Sequence, residues 1–160
     1  MNKLLISLSL IPDPIQWLTN PFWAKITIIL AITWRWTGYN MIFYLSALQN
    51  VDPSIYEAAR IDGASGAQQF FKITIPLLKP IILFTSITST IGTLQIFDEI
   101  MNITKGGPGN ATTSISQYIY NLSFKYTPDF GYAATVSYVI VILIILFSIL
   151  QFKVAGERNV

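Results

Sequence analysis

The sequence predicts an all-α fold of polytopic membrane helices, with three spans and a cytoplasmic helix-turn-helix loop between the first two. Three observations carry this reading. Residues 131–152 form a run of twenty-two without a charge, where about 20 helical residues cross a bilayer core. A second charge-free stretch follows Lys79. Only 11% of the 160 residues are charged while 52% are hydrophobic and 14% aromatic, against about a quarter charged in an ordinary soluble domain.

Residues 1–22 are assigned to an external segment. Met1-Asn2-Lys3 and the apolar run from Leu4 to Ile11 imitate a signal peptide, but no small-x-small cleavage site follows, and Pro12, Asp13 and Pro14 interrupt the run. The first span is placed at residues 23–48. Arg35 interrupts it about halfway, and a charge at that depth faces protein or a wet cavity. A second reading starts the span near Trp36, with Trp17, Trp23, Trp34 and Trp36 as an interfacial belt.

Residues 49–76 form the loop. Pro53 suits a first helical turn, Ser54 with Glu57 fits a capping box, and Gly63 fits a left-handed stop. After the turn from Gly63 to Gly66, residues 67–73 form a second short helix that stops before Pro76. On physical grounds alone this could equally be an inert hairpin.

The second span, residues 77–97, carries Thr85, Thr88, Ser89, Gly92 and Gln95 at spacings that put them on one helical face. Such a face seeks another helix or lines a pore. Residues 98–130 form an external segment, partly irregular, with one short interfacial helix around 114–124. The third span is residues 131–152, apolar on every side through Val139 to Phe147. Residues 153–160 are a tail. Arg60, Lys72 and Lys79 near the loop and Lys153 and Arg158 in the tail place both in the cytoplasm, since the 98–130 segment sets Lys105 and Lys125 against Asp98, Glu99 and Asp129.

Several chemistries are excluded. The chain has no Cys and no His, so no disulfide, no thiolate or imidazole metal site and no Ser-His or Cys-His nucleophile pair can be built from it alone. No metal site and no catalytic residue is expected. A net charge of +2, scattered, gives no nucleic-acid surface, and the lipid bilayer is the expected partner. Asp98 and Glu99 are adjacent, point about 100° apart on a helix and form no acid/base pair. Gly106-Gly107-Pro108-Gly109 lacks the Lys-Ser/Thr ending of a phosphate loop and reads as an external turn. Asn110-Ala111-Thr112 matches a glycosylation acceptor, a pattern common by chance. Asn40, Tyr44, Gln95 and Tyr138 offer hydrogen bonds and an aromatic surface at membrane depth, suited either to a sugar path or to helix packing.

Within the loop, Glu57-Ala58-Ala59, then three residues, Gly63, nine residues, and Ile73-Thr74-Ile75-Pro76 stand in register. This pattern resembles the EAA loop of binding-protein-dependent ABC importer permeases, with Ile75 replacing the usual Leu by a residue of similar volume. Trp36-Thr37-Gly38-Tyr39-Asn40-Met41 and Thr104-Lys105-Gly106-Gly107-Pro108-Gly109 look like the sugar-type branch related to the maltose and lactose permeases.

The resemblance implies a multi-pass subunit of a bacterial cell membrane and no enzyme activity in this chain. It also implies a second permease subunit, two ATP-binding subunits that hold the ATP, an external or periplasmic solute-binding protein, and a sugar as cargo. By motif position Glu57 would contact the ATPase, Ala58 and Ala59 would allow close packing there, Gly63 would make the turn, and Ile73 and Pro76 would close the motif. The chain looks like the C-terminal half of such a subunit, with Met1 an internal start or a truncation. The alternatives are a transport-inactive scaffold and a permease for glycerol phosphate, a polyol or an amino acid.

Overall fold

The computed structural model describes residues 2–156, and among them only helices and turns occur. The order is α1 (Asn2–Ser7), α2 (Pro21–Gln49), α3 (Pro53–Ile61), α4 (Gly66–Gln69), α5 (Ile75–Leu94), α6 (Asp98–Ile103), α7 (Ile115–Tyr120) and α8 (Phe130–Gly156). Two wide, π-helical turns sit at Phe70–Thr74 and Asn121–Lys125. Arg158 and the rest of the predicted tail beyond Gly156 lie outside the described residues.

Among the described residues two helices are long and apolar enough to cross a membrane: the continuous helix Gly66–Leu94, of 29 residues, and Phe130–Val154, of 25. Both present exposed apolar side chains, as at Phe84, Ile142, Leu146 and Leu150. Helix α2 has comparable length, 29 residues, but Lys25 and Arg35 fall within it.

One compact unit comprises residues 2–34 and 95–139. Helix α2 starts there with Pro21 in its first turn, and the Asn20 carboxamide oxygen accepts from the amides of Phe22 and Trp23, so two otherwise unsatisfied donors are capped. The N-terminal segment folds back onto that start. Asn2 donates to the Ile15 carbonyl at 2.8 Å, the Trp17 indole donates to Asn2 at 2.6 Å, and Thr27 donates to the Trp17 carbonyl at 3.1 Å. Ala24, Ile28, Ile100 and Ala133 are its buried apolar side chains.

The second unit comprises residues 35–94 and the chain from Ile140 onward. It holds the second half of α2, the loop, α5 and most of α8. Leu78, Thr85 and Ile140 are buried in it, and the Gln151 amide of α8 donates to the Thr90 hydroxyl of α5 at 2.7 Å.

The structure differs from the sequence expectation at Pro76. The expected stop is absent, and α4 runs through the wide turn at Phe70–Thr74 into α5. A proline normally breaks a helix because it lacks an amide hydrogen and its ring strikes the carbonyl four residues back. Here the preceding turn is widened, with the Ile75 amide donating to the Phe70 carbonyl five residues back, which gives the ring room.

Candidate functional site

The loop is built by short-range hydrogen bonds. Asp52, not Ser54, caps α3: its carboxylate accepts from the Ser54 amide at 2.9 Å, with Pro53 at the first helical position. That places Ser54 inside the first turn, so the expected Ser54–Glu57 capping box does not form. The Ser54 amide, with help from its hydroxyl, holds the Asp52 carboxyl below the usual aspartate range.

Helix α3 ends as expected at Gly63, whose φ is +78°. The Gly63 amide donates to Arg60 and the Ala64 amide to Ala59, the paired bonds of a Schellman stop. A reciprocal capping box does occur one helix later. The Ser65 hydroxyl accepts from the Gln68 amide at 3.3 Å while the Gln68 side chain accepts from the Ser65 amide at 2.8 Å. Its Ser-x-x-Gln spacing was the sequence signal for it.

Across the turn, the Tyr56 hydroxyl of α3 meets the Thr74 hydroxyl at 3.0 Å, tying the first loop helix to the wide turn that leads into α5. Glu57 and Ala58 are exposed, Ala59 and Ile73 are half-buried, and Pro76 is exposed. Asp62, Gly63, Ala64, Gln68, Lys72 and Ile73 line a hollow of about 350 Å³. Ile55, Ile61, Phe70 and Phe71 add exposed apolar surface to the same loop. A capped helix that exposes small and apolar residues is suited to seating against another protein.

The second candidate is a seam between α2 and α5 in the same unit. Asn40 donates to Ser89 at 3.0 Å, and the hydroxyls of Tyr44 and Thr85 lie 2.7 Å apart. Trp36 stands against Gly92. Positions 36, 40 and 44 thus meet 92, 89 and 85 in antiparallel register, one helical turn at each step. Thr85, Ser89 and Gly92 of the predicted polar face are used here, whereas Thr88 bonds back to the Phe84 and Thr85 carbonyls. Thr37, Asn40, Met41, Tyr44 and Leu45 line an open groove of about 430 Å³. Gln95 and Tyr138, the other predicted path residues, are exposed and belong to the other unit.

Among the described residues no group of His, Cys, Asp and Glu side chains is placed to hold a metal ion. The predicted glycine turn has φ of +87° at Gly106 and +57° at Gly109, and Thr112 donates its amide to Gly106 and its hydroxyl to Gly107.

Comparison with known proteins gives consistent results. The chain is 62% identical over 161 residues to the lactose transport system permease protein LacF of Rhizobium radiobacter, covering 99% of this chain and 54% of that protein. It is 40% identical over 147 residues to the trehalose/maltose transport system permease protein MalF of Thermococcus litoralis, covering 92% and 49%. The chain therefore spans about half the length of these relatives. Among solved structures, a bacterial ABC transporter involved in the import of the acidic polysaccharide alginate superimposes with a TM-score of 0.83 at 25% identity, over 99% of this chain and 55% of that one. The model of the family described as binding-protein-dependent transport system inner membrane component matches residues 4–156, and the chain belongs to that family.

Proposed function

We propose that this chain is a membrane-spanning permease component of a bacterial ABC transporter that imports a sugar or oligosaccharide. The observation that carries the proposal is the loop: Glu57-Ala58-Ala59, Gly63 and Ile73 to Pro76 stand in the family's spacing, the first three on a capped, exposed helix and the last four, beyond the Gly63 turn, on a helix that runs without a break through an apolar stretch of spanning length. In this reading Glu57, Ala58 and Ala59 dock on an ATP-binding subunit and Gly63 fixes the turn. Ile73 and Pro76 then lie where the loop becomes the span. The chain itself hydrolyses nothing, and ATP belongs to the two partner subunits.

Helix α2 is taken as a third span, its Arg35 facing protein or water. Residues 49–76 then lie in the cytoplasm, and the N-terminal and 98–130 segments lie outside. A second permease subunit and a solute-binding protein complete the assembly, and the names of the relatives favour a glycoside as cargo. Asn40 and Tyr44 border the solute path along their groove. The alternative reading is a scaffold subunit that inserts in the membrane without coupling to ATP.

The absence of cysteine makes the test clean. A single Cys at Ala58 is paired with Cys-bearing ATP-binding subunits in membranes, with and without ATP. The proposal expects a disulfide whose yield changes with ATP. An inserted chain that gives none favours the scaffold.

A further inference from the structure

Part of the external segment buries polar side chains and exposes aromatic ones, with Lys125 and Asp129 also at its surface. Along α7 and the wide turn that follows it, the polar side chains Gln117 and Asn121 are only 2% and 5% exposed, and Ser123 is buried with them. The aromatic ones face outward. Phe124 is 71% exposed and Phe130 62% exposed, and Tyr118, Tyr120, Tyr126 and Tyr132 are exposed as well.

Water selects the opposite arrangement, and an exposed apolar patch of this size marks a surface with a nonaqueous neighbour. Ser123 donates to the Ile119 carbonyl, and Gln117 turns inward against Gly106, its amide nitrogen reaching the Met101 sulfur at 3.3 Å while its buried amide oxygen has no hydrogen-bond partner. The rings pack edge to edge or tilted, Tyr120 on Phe124, Phe124 on Phe130 and Tyr118 on Tyr132. Phe130 and Tyr132 open α8, so the patch runs directly onto an apolar helix of spanning length.

We infer that residues 115–132 lie in the headgroup layer of the outer leaflet, with Phe124, Tyr126 and Phe130 inserted among the lipids. Tyrosine and phenylalanine at the mouth of a span suit that layer, where ring bodies meet acyl chains and hydroxyls meet water. A sugar is a poorer match, because the polar side chains that would bond its hydroxyls point inward. This inference rests on α8 spanning the membrane.

The test is spin-label depth measurement on the full chain, with whatever subunits it retains on purification, in vesicles of phosphatidylethanolamine and phosphatidylglycerol. Single cysteines replace Phe124, Tyr126, Asn110 or Ile145. Nitroxides at 124 and 126 are expected about 5–10 Å below the headgroup boundary, reached by oxygen and shielded from a water-soluble nickel chelate. The label at Asn110 should be open to the chelate. Labels at 124 and 126 that meet the chelate as Asn110 does overturn the inference, and so do labels shielded from both quenchers, which would mean a protein covers the patch. The Ile145 label separates the two failures: if it too meets the chelate, α8 does not span, whereas a deep Ile145 beside a wet Phe124 removes only the interfacial placement.

Discussion

Trp36 of α2 stands over Gly92 of α5 so closely that a Cβ at position 92 would overlap the indole ring. The absence of a side chain at Gly92 therefore sets how near the two helices lie, and the hydrogen bonds of Asn40 and Tyr44 follow at the next turns.

Gly92→Ala should destabilise the protein. Helix propensity favours alanine by about 1 kcal/mol, but overpacking costs about 1–3 kcal/mol, and the rigid indole leaves the smaller term no way to win. Thermal unfolding in detergent should show a lowered midpoint, restored when Trp36→Leu is added. A midpoint unchanged or raised by Gly92→Ala alone would contradict the close contact.

The Tyr44–Thr85 pair should contribute about 0.6 kcal/mol of coupling, the average for hydrogen bonds between membrane helices. A double-mutant cycle of Tyr44→Phe and Thr85→Val, read by equilibrium unfolding in mixed micelles, measures it. Zero coupling would mean the hydroxyls do not bond.

At Gly63 the backbone lies at φ +78° with open space where a Cβ would project. Replacement by alanine should cost about 1–2 kcal/mol through backbone conformation alone, and asparagine should cost less. Protease cleavage within residues 60–66 is the readout, with alanine expected to be cut fastest. Equal cleavage of the three proteins would exclude a left-handed stop.

The Asp52 cap predicts acid sensitivity in the loop. Its carboxyl is held below the usual aspartate range in the folded loop, so the stabilisation is complete above the unfolded-state value and is lost as the pH falls through the lowered one. Protease cleavage near Pro53 should rise in acid for the natural chain and stay flat for Asp52→Ser, which caps without titrating. An acid rise in both would point to another group.

Gly106→Ala should be among the most damaging changes outside the spans. Its φ is +87°, and a Cβ would lie 2.7 Å from the Gln117 amide oxygen and 2.8 Å from the Thr113 hydroxyl. The conformational part alone is about 1–2 kcal/mol. Loss of folded protein in detergent, measured by size-exclusion recovery, is the expected result.

Much of this was legible in the sequence because charge-free runs are long-range facts. Lys79 and Lys153 bracket the apolar stretches that became most of α5 and α8, and Gly63 marked its stop because few other residues tolerate that conformation. The misreadings were local competitions. Ser54 lost the cap to Asp52 since Pro53 fixed the first helical position one residue earlier. Pro76 looked like a terminator because a widened turn has no sequence rule comparable to proline's own. The pairing of Asn40 with Ser89 depends on how two helices slide past each other, which a one-dimensional polar stripe does not specify.

The unbroken passage from α4 into α5 has a mechanical consequence. Twenty-nine residues of helix from Gly66 to Leu94 make a lever about 43 Å long, and a tilt of about 5° applied at the Gly66 end sweeps the Leu94 end through about 4 Å. With a flexible linker at Pro76 the same push would dissipate in the joint. A stiff rod would carry the tilt to its far end as displacement, whereas bending at the widened turn at Phe70–Thr74 would absorb part of it.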